Sequence, residues 1–209
     1  FLTLLDKRYG PQLDSKAKQY IHFSVDGARR MRQVILALLD FSGVGKEPYT
    51  LSHFELAEVL DEVLILNRKL IQEKNAQITY ENLPLLMAYR PPVQQVLQNL
   101  IENALKYSQA NQQPVIKVQA IEHPTEWEIT VQDNGIGIAA QYHEKIFIIF
   151  QRLHHKHEYS GAGIGLAIVK KVIEGAGGKV WVRSEEGMGS TFGFTLKKKP
   201  DTHRALSAE

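Results

Sequence analysis

Asn99-Leu100-Ile101-Glu102-Asn103-Ala104-Leu105-Lys106-Tyr107 is the stretch on which the reading turns. It closes an apolar-periodic segment that begins at Pro91-Pro92, where a helix can start because the missing proline N–H would have no helical partner anyway. Val93, Val96, Leu97, Leu100 and Ala104 share a broad face, so the helix is docked on a core. At ~100° per residue, Asn99, Asn103 and Lys106 fall within about 60° of one another at the edge of that face. Amide oxygens beside an ammonium group suit a magnesium–phosphate ligand: the oxygen ligates a hard cation and the lysine meets phosphate charge. Taken alone, the same pattern is also that of an ordinary amphipathic helix with an asparagine-rich edge.

Working outward, Val115–Ile121 and Trp127–Gln132 alternate as strands, and the second runs into Asp133-Asn134-Gly135-Ile136-Gly137. A carboxylate at a strand end can accept from an exocyclic amine, and glycines let the backbone pass close to a flat ring; a plain turn is the competing reading. Further on, Gly161-Ala162-Gly163-Ile164-Gly165 opens a helix running to Ala176 and closed by Gly177-Gly178. Backbone N–H groups and the helix dipole make such a start a phosphate seat. No strand directly precedes it, so the dinucleotide-binding fingerprint does not apply, and no P-loop is present. Val180–Ser184 and Thr191–Leu196 form a hairpin around Glu186-Gly187-Met188-Gly189. Between the two glycine clusters a short helix through Ile149 is expected, followed by a polar stretch.

On the N-terminal side, Ile78–Glu81 and Leu85–Ala88 read as strands, and Ser52 with Glu55 reads as a capping box opening a helix to about Lys74. Gly43, Gly45 and Pro48 form a linker. Before it, Asp14 is a candidate N-cap for a helix to about Ser42, with Gly43 placed to stop it. Ile21, Val25, Ala28, Met31, Ile35 and Leu38 are spaced as the seam of a helix bundle or coiled coil. Arg29, Arg30 and Arg32 read as a solvated face. The chain opens inside an apolar pattern at Phe1-Leu2-Thr3-Leu4-Leu5, about one turn before the break at Gly10-Pro11; we read this start as a cut through a longer helix.

Composition narrows the function classes. The 209 residues hold 25 basic and 23 acidic side chains, a net charge of +2, which gives no general electrostatic case for nucleic acid or an anionic membrane. There is no cysteine, so disulfides, thiolate metal sites and a cysteine nucleophile are excluded. Apolar runs such as Val34–Leu39 fall far short of the ~20 residues that span a bilayer. A cytoplasmic location is the expectation, whether the parent protein is soluble or membrane-anchored, with no membrane or nucleic-acid contact from this chain.

Order and spacing together resemble the catalytic ATP-binding domain of sensor histidine kinases of the GHKL superfamily. The motifs that carry it are the asparagine box 99–107, the glycine box at Asp133, the Ile146-Phe147-Ile148-Ile149-Phe150-Gln151-Arg152-Leu153 run, the Gly161–Gly165 box, and Gly187-Met188-Gly189-Ser190-Thr191-Phe192. The resemblance implies an α+β fold, an α/β sandwich of a mixed sheet and helices over 47–199. Before it would lie a truncated phosphoacceptor hairpin (1–46, second helix 14–42), and after it a flexible tail, 200–209. It further implies ATP and Mg²⁺ as ligands, with Asn103 on the metal and Asn99 in support. Lys106, Tyr107 and Arg152 would lie near the phosphates. Asp133 would meet the adenine amine with Gly135 and Gly137 beside the base, and Thr191 would back the adenine end. Residues 139–160 would form a lid anchored by Phe147 and Phe150; Gly161, Gly163 and Gly165 would hinge it and supply amides, and Ile164 and Leu166 beside them would also bind the nucleotide.

The implied activity is transfer of the ATP γ-phosphoryl group to a histidine, for relay to the receiver domain of a response regulator, by a homodimer paired through the helical segment and weakened by truncation. No phosphoacceptor histidine is expected in this chain: the family's acceptor lies on the first bundle helix, and none of the eight histidines has such a setting. His22 reads as a structural histidine, and His154, His155 and His157 as solvent-exposed rather than as a metal site. The alternatives are a GHKL-type ATPase and a nucleotide-binding or dimerisation module without catalysis. The ATPases of the superfamily place a glutamate where Asn99 stands, and Glu102 points about 100° away from Asn103. Phrases such as Lys7-Arg8-Tyr9-Gly10-Pro11 resemble kinases with PAS or phytochrome-type sensors.

Overall fold

The structure is a computed structural model that describes residues 1–43, 49–151, 153 and 163–199; the side chains of Leu2, Arg30, Gln33, Ala37 and Asp40 fall outside that description. The linker positions Gly45 and Pro48, the site candidates Arg152 and Gly161, His154, His155, His157 and His203, and the tail 200–209 all lie outside the described residues. The chain divides into two units, Phe1–Ser42 and Gly43–Glu209.

The first unit is helical. Helix α1 spans Leu2–Tyr9, longer than the single turn expected, before a 3₁₀ turn at Gly10–Gln12. Helix α2 covers Ser15–Gly43, and its N-terminus is capped as expected: the Ala17 N–H donates to Asp14 Oδ1 at 2.7 Å. Along the seam Ile21 and Val25 are buried, whereas Met31, Ile35 and Leu38 are exposed, as are Arg29 and Arg32. His22, expected to be structural, is exposed and lies 3.4 Å from Asp26, one helical turn on.

The second unit begins with a correction. Leu51–Glu55, expected as the start of a capped helix, is strand β1. It pairs antiparallel with β3 (Leu85–Tyr89), so that Ser52 lies opposite Ala88 and Phe54 opposite Leu86. A capping box is a local signal, and the backbone groups it would have satisfied are taken up by a partner some thirty residues away. Helix α3 (Leu56–Leu66) follows with Glu55 as its N-cap, and ends at Asn67, whose buried amide donates to the Val63 carbonyl. The expected long helix therefore splits, and α4 covers only Arg68–Glu73.

The remaining elements form a five-stranded mixed sheet with helices against one face, the fold class expected. Its strands are β2 (Gln77–Glu81), β4 (Val115–Glu122), β5 (Glu126–Asp133), β6 (Val180–Glu185) and β7 (Gly189–Lys197), in the order β2-β4-β5-β7-β6. Only the β2–β4 pair is parallel. Two long helices, α5 (Arg90–Lys106) and α6 (Gly165–Gly175), pack on it, and α5 lies between α3 and α6. The register stacks inward residues into rows across the sheet: Val118, Val131, Phe192 and Val182 form one, and Ala120, Ile129, Phe194 and Val180 the next. Phe194, Ile129, Leu97, Leu100, Ile101 and Ile173 are fully buried between sheet and helices. The expected short helix through Ile149 is instead two 3₁₀ turns, Ala140–Tyr142 and Lys145–Phe147.

Candidate functional site

One row beyond the apolar rows the inward face turns polar. The register aligns Ile116 of β4, Asp133 of β5, Ser190 of β7 and Ser184 of β6. Ser184 and Ser190 hydroxyls lie 2.9 Å apart, and the Ile138 N–H donates to Ser184 Oγ at 2.8 Å. Asp133 thus faces inward at the end of the sheet, where the helices leave a cleft open. Asn103 and Tyr107 of α5, Leu166 of α6, Ser190 and Phe192 of β7, and the segment after β5 line it.

Burial governs the charge at the floor. It pushes the Asp133 carboxyl from the ordinary 3.8 up to about 6, against the opposing pull of the backbone N–H groups of Gly135 and Ser190. The Gly135 N–H donates to Asp133 Oδ1 at 2.8 Å. The glycines after β5 are sterically required. A Cβ on Gly135 would stand 2.5 Å from the Tyr107 carbonyl oxygen, and one on Gly137, where φ is +70°, would stand 1.9 Å from the Glu185 carbonyl oxygen. The Ile136 N–H donates to the Tyr107 carbonyl at 3.0 Å, so this loop is pressed directly onto the end of α5.

Of the other expected positions, Asn103 and Tyr107 face the cleft. Asn99 does not line it: its amide donates to the Gln95 carbonyl at 2.8 Å, and its Oδ1 lies where a Cβ on Gly165 would come within 2.5 Å, which lets α5 and α6 approach closely. Lys106 folds over its neighbour, with Nζ 2.9 Å from the Tyr107 hydroxyl and 4.4 Å from the ring centroid. Ile164 is the buried N-cap residue of α6 and gives no side-chain cap. The first-turn N–H groups of α6 have no helical partner and receive no side-chain cap from Ile164, and they begin at the cleft wall beside Leu166. Gly163 just before has φ +73°, and its carbonyl accepts from the Phe150 N–H at 3.0 Å.

Two expectations are corrected, those for Thr191 and Phe150. Thr191 lies in the outward row with Gln132 and Arg183, and Ser190 takes the inward place. Phe150 is exposed and Phe147 half-buried; Ile146 is the residue of that run that is buried and lines the cleft. Ser190 was within reach of the sequence: the apolar alternation Phe192, Phe194, Leu196 assigns position 190 to the same face. Ile146 carried no signal, because the apolar run around it has no period.

A family profile for the histidine kinase-, DNA gyrase B-, and HSP90-like ATPases matches residues 88–200, which spans α5, α6, four of the five strands of the sheet and this cleft. The chain belongs to that ATPase family. It is 41% identical, over 94% of its length, to phytochrome-like protein Cph1 of Synechocystis sp., and spans 26% of the length of that protein. Among solved structures, the catalytic domain of histidine kinase ThkA is 31% identical with a TM-score of 0.62, covering 73% of this chain and 98% of that one. ThkA in complex with response regulator protein TrrA is 26% identical with a TM-score of 0.69, covering 96% of this chain and 57% of that one. The family's ATP-binding fold and the cleft at the end of the sheet thus coincide in this chain. Among the described residues no helix is long and apolar enough to cross a membrane.

Proposed function

We propose that the cleft binds Mg-ATP and presents its γ-phosphoryl group for transfer to a histidine side chain, as the ATP-binding part of a sensor histidine kinase. The observation that carries this reading is the inward Asp133, a carboxylate held by two backbone N–H groups at the floor of a cleft whose opposite wall carries the Asn103 amide. Asp133 accepts from the adenine amine, Gly135 and Gly137 let the base approach, and Ser190 joins them from β7. The amides of Gly163, Gly165 and Leu166 meet the phosphates with Lys106 and Tyr107, and Asn99 and Ile164 hold α5 and α6 in place around them. Arg152 and Gly161 keep the roles expected of them from sequence.

Asn103 fits magnesium. Among the described residues no group of three or more His, Cys, Asp or Glu side chains could hold a metal by itself. That matches an ion which keeps water and phosphate oxygens and takes few protein ligands. When bound, Mg²⁺ supplies neutralisation of charge on the phosphate oxygens. The protein's own share is to hold the nucleotide in line and exclude water, which accounts for most of the catalysis in phosphoryl transfer.

Hydrolysis is the competing outcome, and the geometry disfavours it. Glu102 is exposed and accepts from Gln98 at 2.9 Å, turned away from the cleft, and the position that would need a water-activating carboxylate is Asn99. The partner we infer for the phosphohistidine is the receiver domain of a response regulator, supported by the ThkA–TrrA complex. The exposed seam Met31, Ile35 and Leu38 of α2 supports homodimerisation through the helical unit.

The test supplies γ-labelled ATP and magnesium to this chain together with a histidine-bearing kinase helical hairpin whose own ATP site has been inactivated. Acid-labile label on the hairpin supports the reading. ADP released without label points to an ATPase, and absence of ATP binding in calorimetry removes both.

A further inference from the structure

Gln109, two residues beyond Tyr107, is half-buried and was not among the expected site residues. Its side-chain nitrogen lies 3.0 Å from the Gly135 carbonyl oxygen, 3.0 Å from that of Gly187 and 3.3 Å from that of Asn134. An amide nitrogen carries two protons, so the two nearer oxygens take one each and Asn134 shares. Three carbonyl dipoles pointed at one spot repel unless a donor lies between them, and Gln109 is that donor.

The acceptors belong to two different segments, the loop after β5 and the turn between β6 and β7. These segments flank the two N–H groups that hold the Asp133 carboxylate, Gly135 on the loop and Ser190 just past the turn. The loop and the turn also meet directly, through the Gly187 N–H and the Ile136 carbonyl at 2.7 Å. That bond and the one from the Ile138 N–H to Ser184 Oγ hold the loop on the C-terminal side of Gly135; the Gln109 amide ties it at Asn134 and Gly135 themselves. Because Gln109 lies three residues past the end of α5, it also couples the base-side loops to the helix that carries Asn103.

We infer that Gln109 is a positioning residue for base recognition: its amide clamps the Gly135 loop to the Gly187 turn and so fixes the orientation in which Asp133 meets a purine. This rests on the ATP reading of the cleft. A fixed carboxylate accepts from the 6-amino group of adenine and repels the 6-oxygen of guanine, so the clamp acts on the ratio of ATP to GTP affinity. A residue that merely supported the fold would lower both affinities together.

The experiment measures ATP and GTP binding by calorimetry for the 209-residue chain, Gln109→Met and Gln109→Lys. Methionine matches glutamine in length and has no donor; the lysine ammonium offers three. Losing the donors is expected to cut ATP affinity about tenfold in Gln109→Met and shrink the ATP-to-GTP ratio by a similar factor. Gln109→Lys is expected to keep the ratio within about threefold of the wild type. An unchanged ratio in a folded Gln109→Met overturns the inference, as does a Gln109→Lys as impaired as the methionine variant. Should Gln109→Met fail to fold, the lysine variant decides alone, by keeping or losing the ratio. A wild-type chain that does not prefer ATP overturns the ATP reading and this inference with it, whereas a wild-type preference that survives Gln109→Met overturns only the role of Gln109.

Discussion

Replacing Asp133 by asparagine should stabilise the fold while weakening the nucleotide site. Burial raises the Asp133 carboxyl from 3.8 to about 6 in the folded chain. The folded state therefore takes up a proton at a pH where the unfolded state does not, and stability falls as pH rises through that interval. Above the folded value the full cost of the buried charge is present, and a gap of that size corresponds to roughly 3 kcal/mol. At pH 4.5 the folded carboxyl is mostly protonated and about 2 kcal/mol of that cost is relieved. Asparagine carries no charge at either pH, and its Oδ1 can still accept the Gly135 N–H. The variant should therefore exceed the wild type by about 3 kcal/mol at pH 7.5 and by about 1 kcal/mol at pH 4.5. For a unit of this size that is roughly 6–12 °C in melting temperature at the higher pH and 2–4 °C at the lower. Calorimetric melts of the two proteins at both pH values measure it, and the other carboxylates cancel in the difference. The same substitution removes a charged acceptor from the base site, which should weaken ATP about ten- to a hundredfold. A melting difference that is the same at both pH values, or a variant less stable at pH 7.5, would refute the burial argument. Unchanged ATP affinity would remove Asp133 from the adenine.

Gly137→Ala combines a left-handed backbone with a Cβ 1.9 Å from the Glu185 carbonyl oxygen. It should cost more than about 3 kcal/mol in denaturant unfolding and abolish detectable ATP binding. Gly165→Ala pushes against Asn99 Oδ1, a side-chain atom at 2.5 Å, and should cost about 1–2 kcal/mol. Much of that loss should return in the Asn99→Ala, Gly165→Ala double variant, and strictly additive losses would show that the two residues do not meet. Phe194→Ala empties the centre of the core, where Phe194 is fully buried, and should lower stability by about 3–5 kcal/mol in urea titrations. Sedimentation of the chain should reveal self-association that Ile35→Glu on the exposed seam of α2 reduces; a clean monomer at high concentration would count against pairing through this unit.

Much of this protein was legible without its structure where the determining forces are local. The apolar stripe of α5 calls for a docked helix whatever lies beneath it, and it places Asn103 beside the core. Asp14 capped α2 because its acceptor and the Ala17 donor lie three residues apart. The alternation in β5 and the glycines at 135 and 137 marked a strand end approached closely by another group. Tertiary pairing decided the rest. Ser52 and Glu55 had all the local marks of a helix start, but β3 competed for the same backbone and won. Thr191 and Ser190 differ by one position, and a one-residue step exchanges the two faces of a sheet. Which of them meets the cleft depends on pairing with β5 and β6, across loops of irregular length. The row of Asp133, Ser190 and Ser184 exists only in that register. So does the convergence of three carbonyl groups on Gln109, drawn from segments 25 to 78 residues away along the chain. The sequence by itself determined the docked helices α2, α5 and α6 and the ends of β5 and β7, because periodicity and spacing are properties of neighbouring residues. Only the tertiary structure decided which side chains share the cleft, because strand register and loop contacts are set by partners far away along the chain.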